Sequence, residues 1–241
     1  MRSWLTQSWR LMKQGGLLLS LSLASCVVSP QPSPPGEDPD LDGDGIDIVG
    51  AGTEDLTELL TFDAAPGSVD PAKGVVIVTN LERSDAPSTV VVRDDGSFSV
   101  ALAGFPGDTV RFQVDQDGAR SQPVDIAVDA TGQVVDVVED APACLVIDPA
   151  RFVALSGAGD AQSIIVRNEC EVAVLIDAPR LRRGRGPFTF SPTGALSLDP
   201  GEAGFVTVRA VGAADEREDV LFFDVSTPEP ARRAITLTVP E

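Results

Sequence analysis

The chain has 241 residues, with 37 Asp and Glu against 18 Lys and Arg, for a formal charge of −19 at neutral pH. It contains no His and no Tyr, and both Trp, Trp4 and Trp9, lie at the extreme N-terminus. These numbers exclude His-based triads, His general bases and His-ligated metals, and the charge lacks the basic footprint of a nucleic-acid binder. A hydrophobic share of 43% is ordinary and supports a buried core.

The first 25 residues read as an export signal. Arg2, Arg10 and Lys13 precede an apolar run from Gly15 to Ala24. That run is far shorter than the roughly 20 apolar residues a membrane-spanning helix needs, and its layout is that of a secretory leader. Its last residues, Leu23-Ala24-Ser25-Cys26, resemble the bacterial lipobox. The resemblance implies cleavage before Cys26, diacylation of its sulfur and acylation of the new amine. Such chains exceed the two-signal requirement for stable anchoring. Val27 follows the cysteine, and in that family the absence of Asp at this place favours the outer membrane. Cleavage removes three basic residues and no acid, taking the formal charge to −22 and leaving Lys73 as the sole lysine.

Three cysteines are an odd number. Lipidation of Cys26 leaves Cys144 and Cys170 in an oxidising compartment, where disulfides persist. The turn signal Ser156-Gly157-Ala158-Gly159-Asp160 lies midway between them. A hairpin there sets the two opposite one another. A disulfide is expected; the rival is a pair of buried thiols.

Residues 26–49 are expected to be an acidic, Pro-rich tether, since five Pro among Ser and acids cannot bury a core. Within it, Asp40, Asp42, Asp44 and Asp47 surround Gly43 and Gly45. Acids at positions 1, 3 and 5 with Gly at 6 resemble the start of an EF-hand-type calcium loop. That resemblance implies calcium as a ligand of these four aspartates. Ala51 stands where a bidentate acid belongs, so two readings stay open, calcium site and solvated acidic linker.

From residue 50 to 141 the hydrophobic period is two. Val110, Phe112 and Val114 alternate with Arg111 and Gln113, and Phe98, Val100 and Leu102 alternate with Ser99 and Ala101. Val75–Val78 and Val90–Val92 are β-branched runs, and only Glu54–Leu60 fits a helical turn. The stretch Asp95-Gly96-Ser97-Phe98, then Gly107-Asp108-Thr109-Val110, resembles bacterial Ig-like and carboxypeptidase-regulatory-like modules. Residues 142–241 carry a second set of strands, closing with Ile235, Leu237 and Val239 against Thr236 and Thr238. Ile147-Asp148-Pro149, Ile164-Ile165-Val166-Arg167-Asn168 and Asp199-Pro200-Gly201-Glu202 resemble landmarks of Hydin-like and abnormal-spindle-like Ig domains, whose role is binding and scaffolding. The expected fold is all-β: two tandem Ig-like antiparallel sandwiches after a disordered tether.

A serine nucleophile finds no His base, and Lys73 sits in a turn with no Ser three residues upstream. The chain is therefore expected not to be an enzyme. Arg180, Arg182, Arg183 and Arg185 concentrate positive charge in an acidic chain. They read either as a docking loop for phosphates or carboxylates or as a solvated loop offsetting nearby acids. The expected function is a lipid-anchored envelope protein for adhesion, assembly or scaffolding, with the membrane, envelope proteins or surface polymers as partners; calcium-dependent binding is the alternative. A direct consequence is spectroscopic. The processed protein, lacking Trp and Tyr, is expected to absorb almost nothing near 280 nm, and a strong indole band would show that the leader is retained.

Overall fold

The computed structural model describes residues 38–51, 59–132, 135–212 and 215–240. The leader, Cys26, most of the tether and residues 52–58 lie outside them; of the helical turn expected over Glu54–Leu60 only Leu59 and Leu60 are described, and they are strand. Apart from a 3₁₀ turn at Gly43–Gly45, every described element is a strand. The N-terminal half contains β1 (Asp40–Leu41), β2 (Ile46–Ala51), β3 (Leu59–Ala64), β4 (Val69–Asp70), β5 (Val75–Asn80), β6 (Ser88–Val91), β7 (Phe98–Ala103), β8 (Thr109–Gln116), β9 (Ala119–Arg120), β10 (Val124–Val128) and β11 (Val135–Val137). The C-terminal half contains β12 (Leu145–Asp148), β13 (Phe152–Ala154), β14 (Ala161–Asn168), β15 (Val174–Ile176), β16 (Arg180–Leu181), β17 (Phe188–Ser191), β18 (Leu196–Leu198), β19 (Ala203–Ala210), β20 (Glu218–Thr227) and β21 (Ala231–Thr238).

Two sheets face each other in each half. In the first, β2-β3-β7 packs against β11-β10-β8-β5-β6, with β9 paired to β8. In the second, β12-β14-β19-β17 packs against β13-β21-β20-β15-β18, with β16 paired to β20. The fold is all-β and built from Ig-like sandwiches. Pairings are antiparallel except that of β13 with β21, which is parallel.

Each sandwich encloses its own core because alternate residues of every strand share one face. In the first, Phe62, Phe98 and Phe112 are fully buried. Phe62 meets Phe112 edge-on at 5.2 Å, a favoured aromatic geometry. In the second, Ile164, Val166, Val206 and Val208 from one sheet meet Leu221, Phe223, Ile235 and Leu237 from the other.

The first core reaches further upstream than the composition indicated. Leu41 and Ile46 are buried in it, and β1 pairs with β4 through Leu41↔Val69. The tether expected through residue 49 has therefore ended by Asp40. The acids hid an ordinary strand alternation: Asp40, Asp42 and Asp47 point outward while Leu41 and Ile46 point inward. The glycines of this segment serve packing. A Cβ on Gly43 would stand 2.6 Å from Val124 Cγ1, and one on Gly45 would collide with Ser68 Oγ.

Cys144 and Cys170 are joined in a disulfide, with Cα atoms 4.9 Å apart. The ladder β12–β14, which pairs Leu145 with Asn168, brings them together. The intervening chain is not the simple hairpin expected, because β13 crosses to the opposite sheet before β14 begins. A bridge closing a loop of this size contributes about 3 kcal/mol in the chain-entropy model.

Polar turns pin the strand ends. Asp95 accepts from the N–H and Oγ of Ser97, and Asp160 accepts from the N–H and Oγ of Ser156 and from the N–H of Ala161. These bonds, that from the Ser156 hydroxyl foremost, hold the Asp160 carboxyl below the usual carboxylate range. A depressed folded-state pKa stabilises the fold above the unfolded value near pH 4, and this contribution is lost as pH falls through the folded value. Replacing Asp160 with Asn is expected to lower the thermal midpoint at pH 7, and the deficit is expected to shrink at pH 3. An equal deficit at both pH values would show that its charge has no part in the turn.

Candidate functional site

The outward faces of β8 and β10 carry Arg111 and Asp125, and the outward faces of β20 and β21 carry Val220, Phe222, Ala234 and Thr236. The two sandwiches meet on these faces and belong to one compact body. Arg111 is the centre of the junction. Its Nε and Nη2 donate to the two oxygens of Asp125 at 2.6 and 2.7 Å. Nη2 also reaches the carbonyl of Ala234 at 2.6 Å, and Nη1 reaches Thr236 Oγ1 at 3.0 Å. The Arg111 side chain is only 3% exposed. The pair satisfies the two conditions a buried ion pair needs, bidentate geometry and further hydrogen bonds.

The charge chain continues outward. Arg151, just before β13, lies 3.8 Å from Asp125 and donates to Asp140 in the inter-module linker at 2.8 Å. Asp140 also receives Arg233 at 2.6 Å, and Arg233 donates to the carbonyls of Pro142 and Leu145. One sandwich, the linker and the other sandwich are thereby tied by a continuous series of alternating charges. Toward the rim, Arg120 pairs with Glu218 at 2.8 Å and Arg232 with Glu82 at 2.9 Å. Leu81, Val220, Phe222 and Ala234 form a small apolar patch between the modules. The Phe222 ring carries the guanidinium groups of Arg180 at 4.4 Å and Arg232 at 4.9 Å, a cation–π arrangement.

Part of the arginine loop is used in the same junction: Arg182 and Arg183 turn inward, while Arg180 and Arg185 are exposed. Arg182 donates to the carbonyls of Asn80 and Arg83 through Nη1 and of Asp85 through Nη2, at 2.6–3.0 Å. Burial pushes its guanidinium pKa down. Arg183 donates to Glu216, while Asp219 accepts from the backbone N–H of Arg183 and Gly184. Arg180 pairs with Asp224. Arg185 alone of the four is exposed and without an ion pair among the described residues. The sequence showed the cluster but not that the loop faces the other module.

The aspartate segment packs on the first sandwich through Leu41 and Ile46. Asp40 Oδ1 accepts from the N–H of Leu41, and Asp42 Oδ1 caps the 3₁₀ turn by accepting from Asp44 N–H. Asp40, Asp42, Asp44 and Asp47 are exposed. Among the described residues no three His, Cys, Asp or Glu side chains form a metal-holding group. The acid spacing that resembles a calcium loop is here the outward face of strands and a capped turn.

Sequence reasoning missed a cleft of about 790 Å³ at one end of the junction. One wall is the β8–β9 hairpin, with Asp115, Gly118 and Arg120; the other is Phe152 and Ala154 of β13 together with Arg217 and Glu218. Arg120 is matched by Asp115 and Glu218. Arg217 donates to the Pro240 carbonyl and has no acidic partner among the described residues. The charged lining of the cleft is balanced, two carboxylates against two guanidiniums, and Arg217 is the guanidinium that no acid engages among the described residues.

No family model and no curated protein sequence matches the chain. Among solved structures, it is similar to WR4, an MSP family member of C. elegans, at 8% identity and a TM-score of 0.35, over 40% of this chain and 98% of that one. It is also similar to the Caenorhabditis elegans MSP-domain protein SSP-19, at 14% identity and a TM-score of 0.35, over 40% of this chain and all of that one. The E. coli chaperone DraB gives 17% identity and a TM-score of 0.31, over 39% of this chain and 53% of that one. Likeness at this level carries no functional argument.

Replacing Arg111 with Ala leaves Asp125 with only the longer Arg151 contact at 3.8 Å and removes both bonds to β21. The expected loss of unfolding free energy is about 3–5 kcal/mol, read from urea denaturation. Arg111→Met combined with Asp125→Leu is expected to recover most of it, since no buried charge then lacks its partner.

Proposed function

We propose that the chain is a non-enzymatic, lipid-anchored protein of the bacterial cell envelope that presents a two-sandwich body for adhesion, assembly or scaffolding. The observation that carries this reading is the disposition of three cysteines. Cys144 and Cys170 are consumed by each other, a state that persists in oxidising compartments, and the remaining one is Cys26 of Leu23-Ala24-Ser25-Cys26. An exported chain with a signal-like leader and one cysteine at that place has the chemistry needed for lipid attachment. Val27 after it supports the outer membrane as the destination.

The junction supports the second half of the reading. Inter-domain contacts within a chain are mobile by default unless extensive. Here Arg111, Arg120, Arg151, Arg182 and Arg232 each reach across to the other module or its linker. Two sandwiches fixed in this way offer one continuous recognition surface. A Pro-rich segment between lipid and body holds that surface away from the bilayer.

The test is metabolic labelling with a palmitate analogue, followed by membrane fractionation and crosslinking in intact cells. The native chain is expected to be labelled, to fractionate with the outer membrane and to crosslink to a discrete partner. Cys26→Ala is expected to lose the label and leave the membrane fraction. A native chain without label would overturn the anchor, and a labelled chain that crosslinks to nothing would overturn the scaffolding role.

A further inference from the structure

We propose that the free edge of β13, together with the adjoining cleft, is a β-augmentation site for an extended polypeptide segment bearing one carboxylate. This rests on the binding-module reading and names the partner class for it.

The argument begins with ladder geometry. β13 pairs in parallel with β21 through Phe152↔Thr236 and Ala154↔Thr238. Thr236 N–H donates to the Arg151 carbonyl, and Leu155 N–H donates to the Thr238 carbonyl. In a parallel ladder, alternate residues turn their main-chain groups to opposite sides. Val153 therefore serves β21, while the N–H and C=O of Phe152 and Ala154 face the other way. β13 is the terminal strand of its sheet, so this side has no neighbouring strand. Ala154 is exposed and Phe152 half-buried. An extended peptide about 4.8 Å away supplies the complementary row of donors and acceptors, the mode by which peptides join open sheet edges.

The cleft supplies the side-chain specificity. Phe152 and Ala154 also line it, so alternate side chains of an added strand enter the space facing the β8–β9 hairpin. Asp115 and Glu218 share Arg120, and exposed Arg217 is the guanidinium of the cleft without an acidic partner among the described residues. A peptide with one carboxylate, from Asp, Glu or its own C-terminus, meets that charge. A strongly acidic strand is disfavoured by the rest of the chain.

A displayed random heptapeptide library, selected on the full chain, tests this. Peptides enriched in alternating apolar residues with one acid are expected. Ala154→Pro removes the outward-facing N–H, which the ladder to β21 does not use, and circular dichroism checks that the fold tolerates the ring. This variant is expected to weaken a selected peptide at least tenfold, and N-methylation of alternate peptide amides is expected to do the same on the unaltered protein. Arg217→Gln is expected to weaken it several-fold, with no further loss when the peptide acid becomes its amide. The Phe152 and Ala154 amides are expected to gain hydrogen-exchange protection. No enrichment, or binding indifferent to both Ala154→Pro and N-methylation, overturns the site. If intact-cell crosslinking still gives a discrete partner, the binding-module reading survives and only the β13 edge fails.

Discussion

A single guanidinium at the centre of the junction determines how the two halves of the protein relate. Arg111 holds Asp125 by both oxygens and takes an Ala234 carbonyl and a Thr236 hydroxyl from the second sandwich. Burying such a charge is costly in isolation. The cost is offset only while all its partners are present, so Arg111 makes the arrangement of the modules specific rather than merely adhesive. The apolar patch around Phe222 is small, and directional bonds supply what hydrophobic area does not.

The distribution of charge follows from this. An acidic chain with few cations uses many of them at the junction and the linker, mostly against acids. Within the arginine loop, Arg182 faces carbonyls of the neighbouring module and Arg183 faces Glu216, which leaves Arg180 and Arg185 on the outside. The same logic makes Arg217 notable. The only hydrogen-bond partner of its side chain among the described residues is a backbone carbonyl, at the edge of the cleft between the two sandwiches.

Much of the fold was legible in the sequence. Period-two runs at Phe98–Leu102, Val110–Val114 and Ile235–Val239 mark strands because one face of each meets a core. Cys144 and Cys170 pair as expected, although through the β12–β14 ladder and not a plain hairpin. What the pattern could not show is a second burial. Arg111 and Gln113 alternate with apolar residues and read as solvent-facing, yet both are buried. Polar residues on the outer face of a sheet look the same whether water or another module covers them. Short elements were missed for a related reason: β1 and β2 lie among acids whose composition mimics a linker, and β9, β16 and β18 are too brief to show a period.

The position of the disulfide has a mechanical meaning. Cys144 lies just after the linker, and its partner Cys170 follows β14. A pull entering the second sandwich through the linker would otherwise peel away β12, the outermost strand of its sheet, one hydrogen bond at a time. The covalent link carries that load past β12 to the far side of β14, a strand flanked on both sides. Tension is thereby delivered to the interior of the sheet, where unzipping a single edge no longer opens the domain.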